Sequence, residues 1–354
     1  MKEVLRECIG IDCGKDEHVA SFAVMFPDRE VKQLATLTFK NSKAGFQKLM
    51  QWIKKLKAIS NYTIVMEATG VYHELVACYL DEKGFYVSVV LPNKAKHFAK
   101  TLTTKSVNDK ISAEMLATMG LEKKLLQWKR PVALYNNLRQ LTRERDQLIQ
   151  ERSPIKCQLH AETSGAWPNQ ASIKRMKLRI KMITAQIVEI ESEIKNLIES
   201  NAEVKRKVKY VCTIKGVGLL TAAIVIAETS GFNLVLNKNQ LVSYAGLDVK
   251  EHTSGTSVNK KSKISHHGNK YLRKCLHFPA LTAIRHSENQ KQLFVRLVSK
   301  HGIKMKAAVA VQRKILILIY TLWKNETVFD TEYEIKKSKN ELGQSRKNAL
   351  KELA

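Results

Sequence analysis

At 354 residues the chain is too long for one ordinary core and is expected to form two or three domains. With 44% hydrophobic residues, 26% charged residues and six prolines it carries enough apolar surface to fold, which excludes a disordered chain. Lysine and arginine number 60 against 33 acids, a net charge of +27, and such an excess is costly in self-repulsion unless phosphates neutralise it; nucleic acid is the expected partner, ahead of an anionic membrane.

The first elements read as an α/β domain. Cys8-Ile9-Gly10-Ile11 forms a buried strand ending on Asp12, and strands over 18–26 and 32–39, joined at Pro27-Asp28, extend it into an antiparallel meander. Asn41 or Ser42 caps a helix in which Phe46, Leu49, Met50, Ile53 and Leu56 recur at helical spacing. A strand over 62–66 then ends on Glu67, a helix over 72–83 stops at Gly84, and a strand over 86–91 stops at Pro92. The order βββαβαβα predicts a ribonuclease-H-like fold, in which the first and fourth strands are neighbours and carry acids at their ends.

From about residue 131 to 209 the pattern is helical. Ile173, Met176, Ile180, Ile183, Ile187, Ile190, Ile194 and Leu197 alternate spacings of three and four, the seam of a coiled coil. A preceding helix with Leu134, Leu138, Leu141 and Leu148 is separated from it by Ser164-Gly165-Ala166-Trp167-Pro168; an antiparallel hairpin and an intermolecular coiled coil both fit. A third region opens with Ile214-Lys215-Gly216-Val217-Gly218 and an apolar helix over 219–227, followed by a polar, basic stretch and two further helices. The expected domains are therefore 1–125, 126–209 and 210–327, with a charged tail over 328–354.

Six scattered cysteines without a CxxC pair fit reduced thiols better than a disulfide framework or zinc site. The N-terminus has no long apolar stretch, and the apolar runs over 219–227 and 315–323 are too short to span a bilayer, so a cytoplasmic, nucleoid-associated protein is expected.

Asp12, Glu67 and Asp109 are the candidate catalytic acids, because a strand-end Asp, a strand-end Glu and an Asp opening a later helix can converge on one sheet edge. Each alone reads as a solvated strand end or helix cap; together, in a strongly basic protein, they suit hard divalent cations such as Mg²⁺ and phosphodiester transfer. Lys215, Gly216 and Gly218 fit the hairpin of a helix-hairpin-helix, whose amides approach a phosphate, or equally a plain turn between packed helices. Between residues 250 and 274, Lys250, Lys260, Lys261, Lys263, Lys270, Arg273 and Lys274 stand with three histidines and a single acid, Glu251, as a phosphate-facing surface. Within it, Thr253-Ser254-Gly255-Thr256-Ser257 offers hydroxyls for a nucleophile or a phosphate clamp, or is simply a loop.

Together, Ile9-Gly10-Ile11-Asp12, Met66-Glu67-Ala68-Thr69-Gly70, Asn108-Asp109-Lys110-Ile111-Ser112-Ala113 with Leu116-Ala117, Gly216-Val217-Gly218, Tyr244-Ala245-Gly246-Leu247 and Ser254-Gly255-Thr256-Ser257 through Gly268-Asn269 resemble the insertion sequence 110 family of transposases to about residue 325. The resemblance implies a RuvC-like domain with acids of DEDD type, a central coiled coil and a mostly α C-terminal transposase domain. It places the first three acids on Asp12, Glu67 and Asp109 and a nucleophilic serine on Ser254, and it implies a covalent phosphoserine link to DNA. It also implies a bridge RNA that pairs with donor and target double-stranded DNA, and an assembly of two or four subunits. The family's fourth Asp falls on Ser112, three residues after Asp109 and so on the same helix face, where a hydroxyl is a neutral, weak metal ligand. That substitution keeps two other readings open: a RuvC-like metal nuclease with no covalent intermediate, and a catalytically impaired nucleic-acid-binding homologue.

Overall fold

The computed structural model describes residues 3–56, 62–102, 108–254, 258–265, 267–330 and 332. The chain divides into two compact units, Met1–Arg130 and Pro131–Ala354. Among the described residues no helix is long and apolar enough to cross a membrane, and all six cysteines are free.

The first unit is built on a five-stranded sheet of order β3-β2-β1-β4-β5, with β1 (Arg6–Cys13), β2 (Glu17–Met25), β3 (Val31–Lys40), β4 (Thr63–Glu67) and β5 (Tyr86–Val90). β1, β2 and β3 form the antiparallel meander, whereas β4 and β5 run parallel to β1 through helical crossovers, so β1 and β4 are neighbours as the element order predicts. Alternate strand residues feed two cores. Ile9, Ile11 and Cys13 pack with α1 (Lys43–Lys55) and α2 (Tyr72–Glu82), while Cys8, Val65 and Val90 pack with α3 (Pro92–Ala99) and α4 (Asp109–Glu122). β5 ends before Pro92, where the sequence reading stops it, and the proline opens α3, where its missing N–H costs nothing.

In the second unit α5 (Ala133–Ser164) and α6 (Gln170–Glu199) form an intramolecular antiparallel hairpin. Arg145 Nε donates to Glu191 Oε1 at 2.7 Å, Arg152 Nη1 to Thr184 Oγ1 at 3.1 Å, and the Asn169 N–H to Glu162 Oε1 at 2.7 Å, closing the tip. Pro154 lies inside α5 and cannot donate to the carbonyl one turn earlier. Ile173, Met176, Ile183, Ile187, Ile190 and Ile194 are buried as the seam requires; at the root the fully buried position is Ile198, and Leu197 is half-buried against the C-terminal core that α5 and α6 both enter there.

That core gathers Leu138 of α5 and the root of α6 with α7 (Ala202–Val211), α8 (Leu219–Glu228), α9 (Lys238–Ala245), α10 (Lys270–Cys275), α11 (His277–His286), α12 (Glu288–His301) and α13 (Lys304–Asn325). The hairpin thus shares a core with the region after residue 209. Five helices follow α8 where the sequence reading placed two, and the basic stretch holds an antiparallel ribbon, β6 (Val249–Ser254) with β7 (Val258–Ile264), whose lysine-rich strands lack apolar alternation.

Candidate active site

The acids converge because α4 is threaded across the sheet in one position only. A Cβ on Gly10 would stand 2.1 Å from the Ala113 carbonyl oxygen and 2.3 Å from the Ala117 nitrogen, and one on Gly120 would stand 2.3 Å from Cys8 Sγ. Arg6 Nη1 donates to the Leu121 carbonyl at 3.0 Å, and Gln33 Nε2 to the Glu114 carbonyl at 3.3 Å. The helix therefore runs antiparallel to β1, with its C-terminus over the start of the strand. From Cys8 to Asp12 the strand advances about 13 Å, and from Gly120 back to Asp109 the helix covers about 16 Å. The N-terminus of α4 is thereby carried to the Asp12 end of the sheet. Asp109, Ser112, Ala113, Leu116, Ala117 and Gly120 form one sheet-facing stripe, so Ser112 shares the face of Asp109. Glu114 lies off it and meets Lys110 at 3.9 Å. The Asn108 side chain caps the helix by accepting from the Ile111 N–H at 2.8 Å.

Glu67 follows Met66, which pairs with Ile11 in the parallel register, so Glu67 and Asp12 end neighbouring strands on the same face. Electrostatics record the convergence: burial first, then Asp109, then Glu67 push the Asp12 carboxyl up to about 6. Burial also raises Glu67. Among the described residues, none of the three acids has a cationic partner. Nor, among those residues, do three His, Cys, Asp or Glu side chains surround one point closely enough to hold an ion. Mg²⁺ does not require three protein ligands, since it is held by one or two carboxylates with waters and substrate phosphates. The donor set fits a hard divalent cation.

This arrangement has a cost in the metal-free protein. The folded pKa of Asp12 lies above its unfolded value of 3.8, so between pH 4 and 6 the folded chain binds the extra proton, and stability falls as pH rises through that window. The full deficit is present at pH 7; the shift corresponds to about 3 kcal/mol, which solvent screening at this half-buried carboxyl reduces to on the order of 2 kcal/mol or less. We expect Asp12→Asn to melt several degrees higher than wild type at pH 7 in EDTA, the gap closing by pH 4 and narrowing when Mg²⁺ is added. Equal melting curves across that range would show that Asp12 is not under this repulsion.

In the second unit, Gly216 has φ +90° and packs on α11: a Cβ there would stand 2.6 Å from the Pro279 carbonyl oxygen. Its glycine is thus required by helix packing. Gly218 caps α8 with nothing within 4 Å of a would-be Cβ, and Lys215 is exposed, leaving that helix N-terminus open to a phosphate. Ser254 is the last residue of β6; its side chain, those of Lys260 and Lys261, and residues 255–257 and 266 lie outside the described residues. Lys263 and Lys270 are exposed, Lys270 with its ammonium 5.2 Å over the Tyr271 ring, while Arg273 donates to the Ala245 carbonyl at 2.8 Å and Lys274 pairs with Asp146.

Sequence reasoning missed the network behind this ribbon. Glu228 is 1% exposed and accepts from Arg143 Nε at 2.8 Å, Arg143 Nη2 at 2.9 Å and Asn269 Nδ2 at 2.6 Å. Asn269 caps α10 through the Tyr271 N–H at 2.9 Å, and Arg143 lies 4.7 Å over the Tyr271 ring. Tyr244 OH donates to the Glu228 carbonyl at 2.9 Å, and Ser265 hydrogen-bonds Asp248 across the base of the ribbon. An acid closing an otherwise apolar helix was the available signal.

A mixed α/β unit of ribonuclease-H-like topology with converging acids, followed by a helical unit carrying a basic ribbon, is the architecture of this chain. A family model described as "Transposase" and named for insertion sequence 110 matches residues 9–168, and a second, "Transposase IS116/IS110/IS902 family", matches residues 208–295. The chain belongs to this family of transposases, which places it among the DNA-rearranging enzymes. It is 27% identical to the pilin gene-inverting protein of Moraxella bovis and 29% identical to that of Moraxella lacunata, in each case over 91% of this chain and 97% of the relative. It is 22% identical to the transposase for insertion sequence element IS1111A of Coxiella burnetii, over 91% of this chain and 90% of that one. Among solved structures, Thermus thermophilus RuvC in complex with Holliday junction substrate is similar over 32% of this chain and 90% of that chain, at 12% identity and a TM-score of 0.24.

Proposed function

We propose that this transposase excises and inserts its own element by a covalent serine mechanism assisted by the carboxylate site. The observation that supports the reading is the placement of Asp12, Glu67 and the N-terminus of α4 with Asp109 at one sheet edge, in a family that rearranges DNA. A divalent cation such as Mg²⁺ would be held by one or two of Asp12, Glu67 and Asp109 together with waters and substrate phosphate, with Ser112 on the face of Asp109 as a neutral donor. When bound, the ion stabilises negative charge on the reacting phosphate. Ser254 Oγ attacks a DNA phosphorus, forming the serine–phosphate ester and breaking the bond to the leaving sugar oxygen; the freed hydroxyl of a second strand later reverses the step and releases the serine. Lys260, Lys261, Lys263 and Lys270, which follow Ser254 in the sequence, supply positive charge for the DNA phosphates, with Arg273 and Lys274 free to join them only by leaving the Ala245 carbonyl and Asp146, and Lys215, Gly216 and Gly218 offer a second phosphate contact. A bridge RNA pairs with donor and target duplexes, and joining two ends requires at least a homodimer. Ser112 supports a second reading: with one negative charge fewer at the metal site, this copy binds nucleic acid but turns over slowly.

Both readings are tested by incubating the protein with Mg²⁺, the RNA of its own locus and matching donor and target DNA, then resolving protein-linked DNA on a denaturing gel. A serine mechanism gives an adduct in wild type that is lost in Ser254→Ala. Absence from wild type but appearance in Ser112→Asp identifies an impaired copy. Strand cleavage without adduct in every variant rejects Ser254 as nucleophile and leaves a metal nuclease.

A further inference from the structure

The outer half of the α5–α6 hairpin carries a charge pattern with no counterpart inside the fold. From Gln170 to Ala185, α6 contains Lys174, Arg175, Lys177, Arg179 and Lys181 and no acid, and the facing stretch of α5, residues 153–164, adds Lys156 against Glu162 alone. All five α6 cations are exposed, and among the described residues none forms an ion pair. Nearer the root, the same helix changes sign, with Glu189, Glu191, Glu193 and Glu199, and Glu191 is paired with Arg145.

Their angular placement is not random. With Ile173, Met176 and Ile183 turned into the seam, Lys174, Lys177 and Lys181 fall in one row on the outer face and Arg175 and Arg179 in another. Between the rows lie Leu178 and Met182, each 58% exposed. Lys177 with Lys181 and Arg175 with Arg179 are like-charged pairs one helical turn apart, an arrangement that opposes helix formation unless an external anion relieves it. The five cations repeat over about 10 Å of helix, a length that spans consecutive backbone phosphates rather than one small anion.

We propose that the outer face of α6, through Lys174, Lys177 and Lys181 with Arg175 and Arg179, is a second nucleic-acid-binding surface that grips a phosphodiester backbone independently of the basic ribbon. The inference rests on the chain being a nucleic-acid enzyme and adds where part of that nucleic acid is held. The ligand chemistry is the polyphosphate backbone, which DNA and RNA both supply.

The test uses the full chain and fluorescence-labelled probes: a 30-base-pair random duplex DNA and an RNA hairpin of similar length. Wild type is compared with Lys174→Gln/Lys177→Gln/Lys181→Gln and with a charge-matched control, Lys195→Gln/Lys205→Gln/Lys209→Gln. Affinity is measured against salt concentration, with circular dichroism confirming unchanged helix content. The outer-face variant is expected to flatten the log–log salt slope by about 2–3 and to weaken binding roughly 10- to 100-fold near 0.1 M salt, while the control changes much less. A loss with one probe alone assigns the surface to that nucleic acid. Unchanged slopes with both probes, or equal losses in both variants, overturn the proposal while leaving the functional reading intact. Wild type binding neither probe overturns the functional reading, and the proposal with it.

Discussion

Gly10→Ala is expected to destabilise the first unit by about 2–3 kcal/mol or more and to disable the acid site without touching an acid. The new methyl would lie 2.1 Å from the Ala113 carbonyl oxygen and 2.3 Å from the Ala117 nitrogen, both backbone atoms that no rotamer change can remove. Either α4 lifts by about 1 Å to restore ordinary contact or the strand bends. Lifting carries Asp109 and Ser112 away from Asp12, because both ride on the helix stripe that faces the sheet. A displacement of about 1 Å at a catalytic group costs on the order of 100-fold in rate. The check is a thermal melt and a DNA-cleavage assay beside Gly165→Ala, whose methyl makes only ordinary contact, 3.6 Å from the Ala161 carbonyl oxygen, and whose φ of −71° suits alanine. A Gly10→Ala protein melting with wild type would mean that α4 does not sit on the strand as described.

Glu228→Ala is expected to cost the helical unit about 2–3 kcal/mol, below the value for a fully buried pair because the Arg143 side chain is 44% exposed and can rehydrate. The loss has two parts: Arg143 gives up a two-pronged carboxylate, and the half-buried Asn269 amide loses its carboxylate acceptor. Asn269 also caps α10 and hydrogen-bonds the Tyr244 carbonyl through its N–H at 2.8 Å, so the segment entering α10 after β7 loosens with it. Glu228→Gln retains an acceptor for Asn269 and should lose distinctly less. Urea titration separates the cases; a loss under about 0.5 kcal/mol in the alanine variant would place Glu228 outside the unit's stability.

The α/β unit was legible because its strands are apolar runs ending in charged or turn residues, and Asp12 and Glu67 stand at those ends. Asp109 was legible as the acid following the Asn108 cap. What holds these acids together was not: Gly10 and Gly120 show their meaning only when a helix lies over them, and Gln33 looks like any polar residue of an edge strand. The β6–β7 ribbon escaped because Lys250, Lys260, Lys261 and Lys263 replace the apolar half of a strand pattern, so charge masked the period of two. Glu228 escaped because an acid at a helix end is ordinarily hydrated, and its partner Arg143 lies 85 residues away in sequence. The α6 cations were visible throughout but overshadowed by the isoleucine seam that runs between them.

Pro154 gives the hairpin a mechanical property. Toward the root, Leu138 belongs to the large C-terminal core; around the proline the two helices are held by a small cluster of Ile155, Met176, Ile183 and Ile187, with Leu148 and Ile149 packed against it. The proline removes one rung of the α5 ladder where the thick support gives way to the thin. The arm is a cantilever with its notch in the outer third of α5, so the missing rung lowers resistance to bending near the tip and leaves the arm's length unchanged.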